Sequence, residues 1–141
     1  MSSNAVRMNI KWEGLDKFER YLMKTIPSGI SAAATEALLE TAEEARDIAK
    51  TLVPIDTGSL QKSIRVERLA RQAGKIYYTG IRAGGYIINP KTGRYVNYAS
   101  FIEYGTSRSR PQPFMRPALR RAMRKLSGRY WRALEGRVAT R

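Results

Sequence analysis

Val6, Met8, Ile10 and Trp12 alternate with polar residues, which predicts a half-buried strand over residues 5–12. The period then changes. Leu15, Phe18, Leu22 and Ile26 recur at helical spacing after Gly14, so a short amphipathic helix follows and ends at Pro27. Ser28 is placed to cap a longer helix over about residues 28–52, with the apolar line Leu38, Ala42, Ala45, Ala49 and Leu52. Residues 63–70 and 75–83 read as two strands joined through Gln72-Ala73-Gly74. GGYIINPKTGRYVNY reads as a second hairpin turning at residues 89–93, and Gly84 and Gly85 make residues 84–95 a projecting arm. Residues 98–104 form a short helix with Gly105 as its stop. The last helix carries Leu119, Ala122, Met123, Leu126, Tyr130 and Leu134 on one face; Pro117 suits its first position, and Gly128 is a candidate kink.

These elements predict an α+β fold in a single domain over residues 1–141. A mostly antiparallel sheet of four or five strands is packed by the 28–52 helix and the C-terminal helix, with residues 1–4 and 136–141 flexible. There is no internal repeat and no low-complexity linker.

Composition narrows the chemistry. The chain has 141 residues, enough to bury a core without staples, and neither Cys nor His. That removes a disulfide framework, makes a transition-metal site untenable, and excludes triad hydrolases that need histidine as base. No cofactor is expected. The opening MSSNAVRMNIKW lacks the apolar core of a secretory signal, and no apolar run approaches membrane-spanning length. The expectation is a soluble protein made in the cytoplasm.

VPIDTGSL, residues 53–60, carries the Asp-Thr-Gly of an aspartic protease loop. That chemistry needs two carboxylates sharing a proton, on loops that follow core strands. Here the motif follows a helix and Pro54, and no second bracing segment exists. The better reading is a turn: Asp56 accepts backbone N–H bonds two or three residues on, Gly58 supplies a left-handed backbone, and Leu60 and Ile64 anchor the segment.

Three segments together carry a resemblance: VPIDTGSLQKSIRV (53–66), YASFIEYGT (98–106) and RPQPFMRPAL (110–119). In that order they resemble the head–tail joining, or tail-completion, family of long-tailed bacteriophages, over about half the chain. The resemblance implies a non-enzymatic virion part, made in the bacterial host, that completes the tail or joins it to the head connector. It implies a ring around the DNA channel, commonly six-membered, with other neck and tail proteins as partners. The motif residues carried over are Asp56, Thr57, Gly58, Leu60 and Ser63, then Glu103, Gly105 and Thr106, then Pro113, Phe114, Pro117 and Ala118. Two readings of Phe114 stay open: a stiff loop presents it to a neighbour, or it plugs its own core. For Glu103 the readings are a buried partner to an arginine of the same or a neighbouring subunit, or a solvated carboxylate.

The net charge of +14 is unevenly placed. Residues 108–141 hold eleven Lys/Arg against one acid, Glu135. Glu36, Glu40, Glu43, Glu44 and Asp47 form a carboxylate stripe opposed only by Arg46. Arg116, Arg120 and Arg124 stack on one face of the last helix, with Arg121, Lys125, Arg129 and Arg132 on an adjacent strip. Four readings compete: the basic helix of one subunit meets the acidic stripe of the next, it touches DNA phosphates, it lies on a membrane surface through Trp131, or it is a solvated face. Assembly uses both charge anomalies and is favoured; the alternative function is non-sequence-specific DNA binding.

Overall fold

The structure, a computed structural model, describes residues 6–10, 29–72 and 75–138. The elements are β1 (Val6–Ile10), α1 (Gly29–Leu52), α2 (Ser59–Ser63), β2 (Arg65–Gln72), β3 (Lys75–Ala83), α3 (Ala99–Tyr104), α4 (Met115–Met123) and α5 (Leu126–Val138). The helix expected over Leu15–Ile26, the Ser28 cap, the Ala73-Gly74 turn and the termini 1–4 and 139–141 lie outside the described residues.

The α+β class holds, but the sheet has three strands among the described residues, in the order β1-β3-β2, both pairings antiparallel. Val6 faces Ala83 on one side of the central strand, and Arg65 faces Arg82 on the other. The further strands expected from residues 85–98 do not form. That segment pairs only with itself, through the bridge Ile88–Tyr95 and the bonds Gly85 N–H to Val96 O (2.7 Å) and Val96 N–H to Ile87 O (2.8 Å). Gly84 and Gly85, with φ of 88° and 105°, turn the chain away from the end of β3 before a ladder can continue. The segment is held at its base: Val96 is fully buried, and Ile87 and Tyr98 pack on the core.

The apolar line of α1 is buried as expected at Leu38, Ala42, Ala45 and Ala49, and Ala33, Ala34, Ala37 and Thr41 join it. Small side chains let neighbours approach closely. The C-terminal half of α1 packs with Leu60, Ile64, Ile81, Val96, Phe114 and α4; the N-terminal half packs with Leu126, Tyr130 and Ala133 of α5. One expected helix is two because these are different targets. The break falls at Arg124–Lys125, where Lys125 N–H turns back to Ala122 O (3.2 Å), and not at Gly128. Pro117 is the third residue of α4, still in the first turn, where a missing N–H costs no helical bond. Residues 136–138, expected to be flexible, belong to α5.

Candidate functional site

The three sequence blocks adjoin one another: the first and second line one cleft, and the second and third are joined by hydrogen bonds to Glu103. In the first, Gly58 has φ 75° and precedes α2, as a left-handed turn requires. Leu60 and Ile64 are buried anchors. Asp56 does not make the expected cap. Its side chain is 69% exposed and ion-paired to Lys91 Nζ, so it ties the turn to the tip of the 89–93 loop. Thr57 takes the local role: its Oγ1 accepts weakly from Ser59 N–H at 3.4 Å and donates to Ser59 Oγ at 2.8 Å. Ser63 is fully buried; its hydroxyl donates to Leu60 O (2.6 Å) and accepts Gly84 N–H (2.8 Å). It therefore joins the end of α2 to the exit of β3. Arg65 reinforces the joint by donating to Ser63 O and Gly84 O (3.2 and 2.9 Å), with its guanidinium 4.4 Å from the Tyr86 ring centroid.

The second and third blocks lock together through Glu103, which is completely buried. Its carboxylate accepts the backbone N–H of Phe114 (2.8 Å), Met115 (2.9 Å) and Arg116 (3.0 Å), and also Arg116 Nε (3.2 Å). Phe114 is the N-cap residue of α4 and makes no side-chain cap, so a carboxylate eleven residues upstream satisfies the orphan donors and meets the positive end of the helix. Within the chain Glu103 is thus buried, and the arginine it meets is Arg116. Phe114 likewise plugs its own core and is not presented to a neighbour.

Gly105 lets the chain make the return. At φ 74° and ψ 177° it sits in a region that only glycine occupies readily. A Cβ there would lie 2.8 Å from Pro111 N and 2.9 Å from Ser109 O. Thr106 closes the loop: its Oγ1 accepts Arg108 N–H and Ser109 N–H (3.2 and 3.0 Å), and its own N–H donates to Ser109 O (2.9 Å). Gln112 N–H then bonds Ile102 O at 2.8 Å, while Pro113 is exposed.

Between the Asp-Thr-Gly turn, the 89–92 loop and α3 lies a cleft of about 360 Å³. Pro54, Ile55, Leu60, Tyr98 and Ile102 give it apolar walls, and Asp56, Thr57, Asn89 and Thr92 a polar edge. Ile55, at its mouth, is 67% exposed, and Phe101 and Tyr104 on α3 are 47% and 55% exposed. No cluster of three or more His, Cys, Asp or Glu that could hold a metal occurs among the described residues. Among the described residues that line the cleft, Asp56 is the one carboxylate.

The two charge anomalies meet within the chain. Glu44 pairs with Arg129 and with Lys125 Nζ (2.7 Å), Glu40 with Arg129 Nε (3.6 Å), and Glu36 with Arg137 (2.8 Å). Arg129 also donates to the buried Thr41 hydroxyl at 3.0 Å. The contact expected between one subunit's stripe and the next subunit's helix is thus made inside one subunit, because α5 folds back along α1. Asp47 pairs with Arg46 at 2.8 Å, a hydrogen bond that raises the guanidinium pKa against an opposing effect of burial, and Glu43 is exposed. Arg120, Arg121, Arg124 and Arg132 remain exposed. No described helix is long and apolar enough to cross a membrane.

Sequence reasoning missed the reach of Glu103 and Ser63. The one available signal for Glu103 was a carboxylate two residues before the helix-ending Gly105, with no local donor to serve. Residues 16–105 match the family described as "Bacteriophage HK97-gp10, putative tail-component", nearly two thirds of the chain. No curated protein and no solved structure matches the chain.

Proposed function

The chain belongs to this family of bacteriophage tail components, and on that premise we propose that it is a non-catalytic building block that completes the tail or joins it to the head connector. Copies dock into a ring around the DNA channel, six-membered in the favoured arrangement, and the ring then meets other neck and tail proteins of a phage or prophage virion. The observation that carries this reading is the nature of the motif. Its buried members, Leu60, Ser63, Glu103 and Phe114, brace backbone, while the surface they brace is an apolar-walled cleft rimmed by Ile55 and an α3 face bearing Phe101 and Tyr104. Exposed large apolar groups on a rigid frame are what an assembling surface needs, because rigidity limits the entropy lost on docking.

Ring contact through this cleft replaces contact through the acidic stripe, whose Glu36, Glu40 and Glu44 already have partners in their own chain. Mass photometry of the purified protein, alone and mixed with its tail partners, tests the reading. The expected result is an oligomer that Ile55→Asp with Phe101→Asp disperses without lowering Tm. Identical mass distributions for wild type and variant under both conditions would refute it.

A further inference from the structure

We propose that the arginine face of α4 docks an acidic segment of a different protein, one that sets an apolar side chain between its carboxylates. The argument starts from charge balance. Among the described residues, every carboxylate except those of Glu43 and Glu135 already makes an ion pair within the chain. Arg120, Arg121 and Arg124 make none with a described residue and are exposed; Arg116, half engaged by Glu103 and lying 5.0 Å from the Tyr104 ring centroid, is 52% exposed. With 26 Lys+Arg against 12 Asp+Glu, a second copy brings surplus positive charge of its own, so a different molecule with surplus negative charge suits this face better.

Geometry selects the class. Arg116, Arg120 and Arg124 recur every four residues, and with a rise of about 1.5 Å per residue they span about 12 Å. Half-buried Leu119 and Met123 lie among them, and these five residues line a shallow cavity of about 520 Å³. Guanidinium forks suit carboxylate and phosphate alike, so the arginines do not discriminate. The apolar floor does. A phosphodiester backbone gains nothing by covering Leu119 and Met123, whereas a protein segment that places an apolar anchor there, ringed by carboxylates, gains both burial and charge pairing. This site shares no lining residue with the cleft at Ile55, although Arg116 adjoins Tyr104 of the α3 face, and it does not depend on ring formation.

The test is fluorescence anisotropy on the full chain at about 150 mM salt. Three labelled probes are compared: a glutamate-rich peptide with a leucine at every fourth position, a polyglutamate of equal charge, and a duplex DNA of about 20 base pairs, long enough to offer many phosphates. The leucine-bearing peptide is expected to bind about tenfold or more tighter than polyglutamate and tighter than the duplex. Arg120→Glu with Arg124→Glu should lose about tenfold or more in peptide affinity, while Arg108→Glu with Arg110→Glu changes it by less than about twofold. Unshifted melting curves show that these exposed variants remain folded. Tighter binding of the duplex, equal binding of the two peptides, intact binding in the Arg120/Arg124 variant, or no binding of any probe would overturn the proposal.

Discussion

Replacing Glu103 by Gln should unfasten α4 while leaving the side-chain volume almost unchanged. The native carboxylate accepts three backbone N–H groups and Arg116 Nε, all within 3.2 Å, in a fully buried position. An amide retains one carbonyl oxygen for these donors and turns an NH₂ toward the others. About half of the four bonds are lost, and one backbone N–H faces another donor. Hydrogen bonds to a charged group contribute about 1.5–3 kcal/mol each, and losing an N-cap side chain costs about 0.5–2 kcal/mol. The destabilisation is therefore about 3–4 kcal/mol, or about a 10 °C drop in Tm for a chain of this length. Denaturant unfolding followed by circular dichroism reads the magnitude, and native-state amide exchange at Phe114, Met115 and Arg116 reads the location. Glu135→Gln, at an exposed position, is the control and should change stability by less than about 0.5 kcal/mol. A loss below about 1 kcal/mol in the Glu103 variant, or unchanged exchange at those three amides, would refute the clamp.

Four further outcomes follow from the same contacts. Gly105→Ala should cost about 3 kcal/mol or more by thermal melt, from backbone strain and a Cβ within 3 Å of Pro111 and Ser109, whereas Gly128→Ala, with open space around it on a helix, should gain about 0.5–1 kcal/mol. Ser63→Ala should cost about 1–3 kcal/mol in urea unfolding, because Gly84 N–H loses its buried acceptor. A double-mutant cycle on Glu44→Gln and Arg129→Gln should return about 1–3 kcal/mol of coupling in the monomer, since both groups are mostly buried; zero coupling would mean that the stripe and the basic helix do not pair in one chain. Asp56→Asn should change stability by less than about 0.5 kcal/mol, as its pair with Lys91 is largely exposed, and peptide-cleavage assays should read the same for both proteins.

The local periodicities were legible. α1, β2, β3 and α3 fall within two residues of where the pattern of apolar positions puts them, because each element has one face against the core. Gly58 and Gly105 were legible for the same kind of reason, as positions whose backbone few other residues tolerate. What the sequence concealed were contacts between distant positions. Nothing local to Glu103 shows that its carboxylate will cap a helix eleven residues away, since capping is ordinarily read within one turn. The acidic stripe and basic helix were visible as complementary charges, but whether they meet within or between chains depends on the turn at Arg124–Lys125. Phe114 posed the same problem: burial in its own core and burial in an interface need the same residue type. The 85–98 segment alternates like a strand, yet its backbone bonds close on itself after Gly84 and Gly85 redirect it.

The central claim, that the motif-braced cleft is where the protein meets its neighbours, is tested most directly by photo-crosslinking in assembled tails. The chain has no cysteine, so Ile55→Cys gives a single site for a benzophenone label at the mouth of the cleft. The account predicts that irradiation joins this position to a second copy of the chain or to another tail protein, while the same label at Glu135→Cys, exposed on α5, which packs on the N-terminal half of α1, gives neither product. Labelled tails in which position 55 yields no intermolecular product, or no more than position 135, would contradict it.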